Sequence, residues 1–170
     1  MGIRYYAYAF DADQTQRAID DPHSILSDDP LADAWGLIPH AAVSPVMGEQ
    51  TVPRRDMLYL DKAWGFLQAL TEPTGGESPR PAYRMFAGRV SFHGLGWDPF
   101  VRTILPAEIP GIRDDLDTLT SARVQDRLRE WNRPGDVDAD IQYTLHYLDA
   151  ARRFVTALAA DGRGMVYLIG

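Results

Sequence analysis

The sequence predicts an α+β fold: a single, mostly helical domain over residues 1–170, with a small sheet that includes the N- and C-terminal strands. Three observations carry this reading. The chain begins and ends on short runs of strand-favouring residues, 3–10 and 165–169. Between them, apolar residues recur mostly at helical spacing. Neither terminal run can stand alone, because a two-stranded ribbon is marginal in water, so both are expected in the same sheet. With 170 residues, 45% of them apolar and 24% charged, the chain is long enough to bury roughly 70% of its unfolded surface around one core.

The Tyr-rich run 3–10 reads as a strand with both faces at least partly covered. Asp11 and Asp13 offer caps for a short helix through Ile19, which stops near Asp21-Pro22. Asp29 caps a second helix, Pro30 suits its first position, Leu31, Ala34 and Trp35 share a face, and Gly36 ends it. Residues 37–53 carry three prolines and no period, which predicts an irregular loop and a candidate binding rim. The strongest helix is expected over residues 56–70. There Met57, Leu60, Trp64 and Leu67 form one stripe and Tyr59, Ala63, Phe66 and Leu70 a second, leaving Asp61 on the polar strip. Residues 73–79 are turn chemistry. Residues 84–92 suggest a third strand, and Asp98-Pro99 a short helix through Ile104. Ile109, Ile112, Leu116 and Leu119 mark the next helix, with Pro110 confined to its first turn. Val124, Leu128 and Trp131 mark another, ended by Pro134-Gly135. The last helix runs over residues 136–160. Asp136, Asp138 and Asp140 complement the dipole at its start, Leu145 and Leu148 face inward to join Trp64 and Leu67 in one core, and Asp161-Gly162 ends it.

Composition excludes several function classes. Cysteine is absent, which removes disulfides and thiolate metal sites. Seventeen basic against twenty-four acidic residues give a net charge of −7, a field that repels phosphate backbones and anionic lipid, so neither nucleic acid nor membrane is expected as a partner. No apolar run has signal-peptide or membrane-spanning length, and a cytoplasmic location is expected. Asp136-x-Asp138-x-Asp140 resembles a calcium loop, yet Ile141 stands at the glycine position and Tyr147 at the bidentate glutamate position, so a helix start is the better reading. Gly94-x-Gly96 is followed by Pro99 where a dinucleotide fingerprint needs glycine. His23, His40, His93 and His146 have no metal-ligand spacing, and no serine sits in a Gly-x-Ser-x-Gly elbow. The expectation is no metal, no cofactor and no hydrolytic nucleophile.

Four stretches are similar to one known family. They are Met1-Gly2-Ile3 leading into the first strand, Tyr59-Leu60-Asp61-Lys62-Ala63-Trp64, Gly94-Leu95-Gly96-Trp97 through Leu105-Pro106-Ala107-Glu108, and Val166-Tyr167-Leu168-Ile169-Gly170. In this order they resemble the YfbM-like bacterial proteins, a domain family of unknown function, with the Leu-Asp-Lys-x-Trp stretch the most specific. The chain departs from the family pattern over residues 39–53 and around Gly75. The resemblance implies a one-domain, helix-dominated α+β fold and transfers no catalytic residue.

Two functional readings follow. The first is a binding or interaction protein of immunity or inhibitor type, whose acidic surface engages a basic protein partner. Its motive is small size, net charge −7 and the lack of a catalytic signature. The second is a small enzyme or ligand-binding domain with a pocket formed by Asp61, His93, Trp97, Asp98 and Arg102, where Gly94 and Gly96 permit close backbone approach. In that reading Asp61 is a general acid or base with a raised pKa. The plainer reading makes it one half of a structural salt bridge.

Overall fold

The computed structural model describes residues 2–37, 49–73, 78–131 and 134–170. Strand β1 (Tyr5–Phe10) and strand β6 (Gly164–Ile169) pair antiparallel along their whole lengths, from Tyr5 opposite Ile169 to Phe10 opposite Gly164. They form the centre of a four-stranded antiparallel sheet in the order β2-β1-β6-β5, with β2 at Met57–Asp61 and β5 at Phe100–Ile104. The termini therefore share one sheet, as the sequence predicts.

Strand alternation sends two sets of side chains to opposite faces. On one face Tyr5, Ala7, Leu58, Leu60, Met165, Tyr167 and Ile169 join the main core. Helices α3 (Trp64–Thr71), α4 (Tyr83–Phe86), α5 (Ile109–Asp117), α6 (Ser121–Glu130) and α7 (Val137–Asp161) complete it. On the other face Tyr6, Tyr8 and Met57 form one small cluster, while Phe10 and Val166 form a second with Ala18. The N-terminal layer that covers them includes α1 (Thr15–Asp20), the turn at Pro22–Ile25 and α2 (Pro30–Trp35). In the main core Leu67 and Leu148 are fully buried, whereas Trp64 and Leu145 pack against it half-buried.

The local signals that depend on single residues hold. The Asp29 carboxylate accepts from the Ala32 amide at the start of α2, and Gly36 closes that helix in the left-handed conformation. Asp136 accepts from the amides of Asp138 and Ala139 at the start of α7, so the calcium-like triplet is a helix N-terminus. Pro110 lies in the first turn of α5.

Three expectations need correction. Residues 56–70 do not form one helix: Met57–Asp61 is strand β2, and the helix begins only at Trp64. The i, i+3, i+4 stripes are met equally well by a strand followed by a helix. Pairing with β1 decides the matter, because it satisfies an edge of β1 that would otherwise lie open. Residues 98–104 are not helical either. Phe100–Ile104 pairs with β6 as β5, and Asp98 ends strand β4 (Gly96–Asp98) instead of capping a helix. Residues 84–92 divide between α4, which buries Met85 and Phe86, and strand β3 (Ser91–His93). β3 and β4 make a separate two-stranded hairpin. The expected loop at 37–53 and turn at 73–79 lie largely outside the described residues.

Candidate functional site

Asp61 ends β2 with φ +45°, the one non-glycine residue with positive φ among those described. Its carboxylate accepts from three side chains that lie far apart in the chain. Arg4, just before β1, donates through Nε to Oδ1 at 3.0 Å; the Tyr59 hydroxyl donates to the same oxygen at 3.0 Å; and the Tyr143 hydroxyl of α7 donates to Oδ2 at 2.7 Å. A second ring of contacts fixes these donors. The Arg4 guanidinium lies 5.3 Å over the Trp35 ring, the Trp35 indole N–H donates to the Tyr59 hydroxyl at 3.2 Å, and the Lys62 amide donates to the Tyr143 hydroxyl at 3.2 Å.

The electrostatics follow from these contacts. Burial by itself raises the Asp61 pKa, but the Tyr143 and Tyr59 hydroxyls and the Arg4 guanidinium outweigh it and hold the carboxyl below its ordinary value. Tyr59 and Tyr143 are pushed the other way, first by burial and further by donating to that carboxylate. Asp61 is thus an ionised acceptor whose two oxygens are both engaged, not a carboxyl with the raised pKa that the general acid or base reading requires. Its geometry is that of the structural salt bridge.

The other candidate residues lie elsewhere. His93 and Asp98 pair with each other across the hairpin, Nε2 to Oδ1 at 2.9 Å, on an exposed surface. Trp97 is half-buried and lines a hollow of about 270 Å³ together with Arg4, Asp28, Asp29 and Leu31. Arg102 lines a different hollow of about 520 Å³, with Arg80 and Arg84. Its guanidinium lies 5.2 Å over the Phe100 ring. The five residues are therefore distributed over a salt-bridge cluster, a hairpin and two hollows. The physical reason is strand pairing: Trp97 belongs to β4 of the separate hairpin, while Arg102 belongs to β5 of the main sheet, where a helix over residues 98–104 was expected to gather them.

The hairpin tip is unusual in another way. Phe92 is 75% exposed and Leu95 is fully exposed, and both stand on a turn in which Gly94 has φ +53°. The glycines mark this turn in the sequence, whereas its apolar crown stands out in the structure. The signal lay in Phe92 and Leu95 flanking a tight turn with no helical partner spacing around them. In the structure Asp149 bonds Arg153, and His146 packs edge-on against Tyr147 with ring centroids 5.0 Å apart. Among the described residues no cluster of three His, Asp or Glu side chains is placed to hold a metal ion, and no helix is long and apolar enough to cross a membrane.

A scan of protein-family models finds no match to this chain, and a search of curated proteins finds none. Among solved structures the chain is similar to the crystal structure of YfbM from Escherichia coli, a protein of unknown function. The superposition has a TM-score of 0.54 and covers 99% of this chain and 100% of that one, at 15% sequence identity. At that identity the likeness establishes the fold and nothing of the activity: this chain is built from end to end on the fold of YfbM, as the four matching stretches of its sequence imply.

Proposed function

We propose that this chain is an interaction protein that engages a basic protein partner through the β3–β4 hairpin and the hollow beside it. One observation carries the reading: two large apolar side chains, Phe92 and Leu95, are held out in solvent on a hairpin that belongs to no larger sheet. Such side chains contribute little to folding where they stand, and a partner that covers them gains apolar burial on the order of 1.5–3 kcal/mol for each. The chemistry of the partner follows from the neighbouring hollow. Trp97 supplies an aromatic wall, and the exposed Asp28 and Asp29 supply negative charge, a setting that suits a Lys or Arg side chain. Net charge −7 adds long-range attraction toward such a partner. An inhibitor or immunity role is the kind of function this arrangement serves. The enzyme reading loses support because the Asp61 carboxylate is engaged at both oxygens by Arg4, Tyr59 and Tyr143 and its pKa is lowered, the opposite of what a general acid needs.

The test is photo-crosslinking in the native cell from a probe at Ser91, comparing the wild-type hairpin with the F92S/L95E variant. The expected result is one discrete adduct to a basic protein that disappears in the variant while the melting temperature stays the same, since both side chains are outside the core. Adducts of equal yield from both proteins would refute the hairpin as the contact. An adduct to a second copy of this chain would replace the basic partner by self-association.

A further inference from the structure

We infer that the hollow between α4 and β5 is a binding site for a small phosphate monoester. Three arginines line it, Arg80, Arg84 and Arg102, and among the described residues no carboxylate does. In a chain of net charge −7 this is a local reversal of sign. Two of the arginines are braced from outside the hollow. Arg80 grips Asp115 through Nε and Nη2, with contacts of 2.8–3.3 Å, and Arg84 meets Glu108 through Nε at 2.5 Å. Neither brace uses Nη1 of Arg80 or the terminal nitrogens of Arg84. Arg102 has no acidic partner among the described residues and rests on the Phe100 ring, which orients its guanidinium without neutralising it.

Gly88, which also lines the hollow, has φ +138°, and a Cβ there would lie 2.3 Å from the Phe100 ring, so only glycine lets the backbone press against the ring on which Arg102 rests. The rim is apolar: Pro79, Pro81 and the Tyr83 ring border the arginines. Three planar guanidinium forks around one hollow match the several oxygens of a phosphoryl group better than a single carboxylate does, and the rim suits a compact organic substituent. The volume, about 520 Å³, accommodates a ligand of metabolite size. The overall negative charge disfavours a nucleic-acid strand or an anionic bilayer, which leaves a small soluble ester. None of these residues belongs to the hairpin or to the Trp97 hollow, so this site and the proposed protein contact stand or fall separately.

Phenyl phosphate is the probe, titrated calorimetrically into the full chain, with phenol and citrate as comparisons. The expected result is saturable one-to-one binding of phenyl phosphate that weakens with added salt, no binding of phenol, and weaker binding of citrate. R102Q should lower the affinity at least about tenfold, the scale of one charge-assisted hydrogen bond, and R84Q/R102Q should abolish it. R102K keeps the charge and loses the fork; it should bind more weakly than wild type and more tightly than R102Q, and it serves as the test if R102Q fails to fold by circular dichroism. No saturation up to about 10 mM, where even a roughly millimolar site fills, would overturn the site. Equal affinity in R84Q/R102Q and wild type would overturn it too, and citrate binding more tightly than phenyl phosphate would overturn the phosphate class.

Discussion

Asp61 combines two costs that a protein tolerates only when neighbours over-determine the conformation: a left-handed backbone and a half-buried charge. Its neighbours come from far along the chain, Arg4 at a separation of 57 residues and Tyr143 at 82, so one carboxylate ties together β1, β2 and α7. Because the folded carboxyl sits below its ordinary value of 3.8, the unfolded state binds the proton more readily than the folded one. Ionised Asp61 therefore stabilises the fold at pH values above that ordinary value, and the contribution is lost as pH falls through the lower, folded one. D61N isolates the charge, since asparagine accepts positive φ about as well as aspartate does. Urea titrations should find D61N less stable than wild type at about pH 7, with the gap narrower at about pH 3, below the ordinary value, where the unfolded chain takes up the Asp61 proton more readily than the folded one. A gap of the same size at both values would place the effect in shape rather than charge. D61A should be worse than D61N at neutral pH, because alanine loses the acceptor and also tolerates the left-handed backbone poorly.

Helix α7 shows how one element sets the cost of a substitution by the depth at which each side chain sits. Leu148 is fully buried and Leu145, three residues earlier, is half-buried on the same core. L148A should cost about 2–5 kcal/mol in denaturant-derived stability, whereas L145A should cost clearly less, because its side chain has part of its surface in water already. Equal losses would mean that Leu145 is as enclosed as Leu148. The same elements show which parts of the fold were readable beforehand. α2 and α7 were legible because their signals are local: a capping aspartate, a proline in the first turn, a left-handed glycine at the end. β2 and β5 were not, because both lie where helical spacing or a cap-like Asp-Pro pair competes with strand pairing, and the pairing partners Tyr6 and Tyr167 are remote in sequence. For the candidate site, the need of a half-buried Asp61 for a partner was legible, while the identity of Arg4, Tyr59 and Tyr143 was not. Arg80 and Arg84 are near each other in sequence, but only the placement of β5 brings Arg102 to them.

At the scale of the whole molecule, the last strand is the structural centre. β6 contacts β1 on one side and β5 on the other, and through Met165, Tyr167 and Ile169 it feeds the main core, where Tyr5 and Tyr167 stack at 5.1 Å. Deleting residues 164–170 should therefore abolish cooperative unfolding altogether instead of lowering its midpoint. A truncated chain that still melts in a single sharp transition by circular dichroism would show that the helices hold a core without the sheet. Long-range pairing of this kind also slows folding, because the chain must close a large loop before β1 and β6 reward each other. The same connectivity bears on synthesis. As the chain leaves the ribosome, the tyrosine-rich β1 emerges well before β6 and gains its edge partner β2 partway along, yet its other edge stays bare until β6 follows. Until β6 is made, then, β1 is an unprotected sheet edge in a crowded cell, and that interval is when this protein is most open to capture by a chaperone or by another nascent copy of itself.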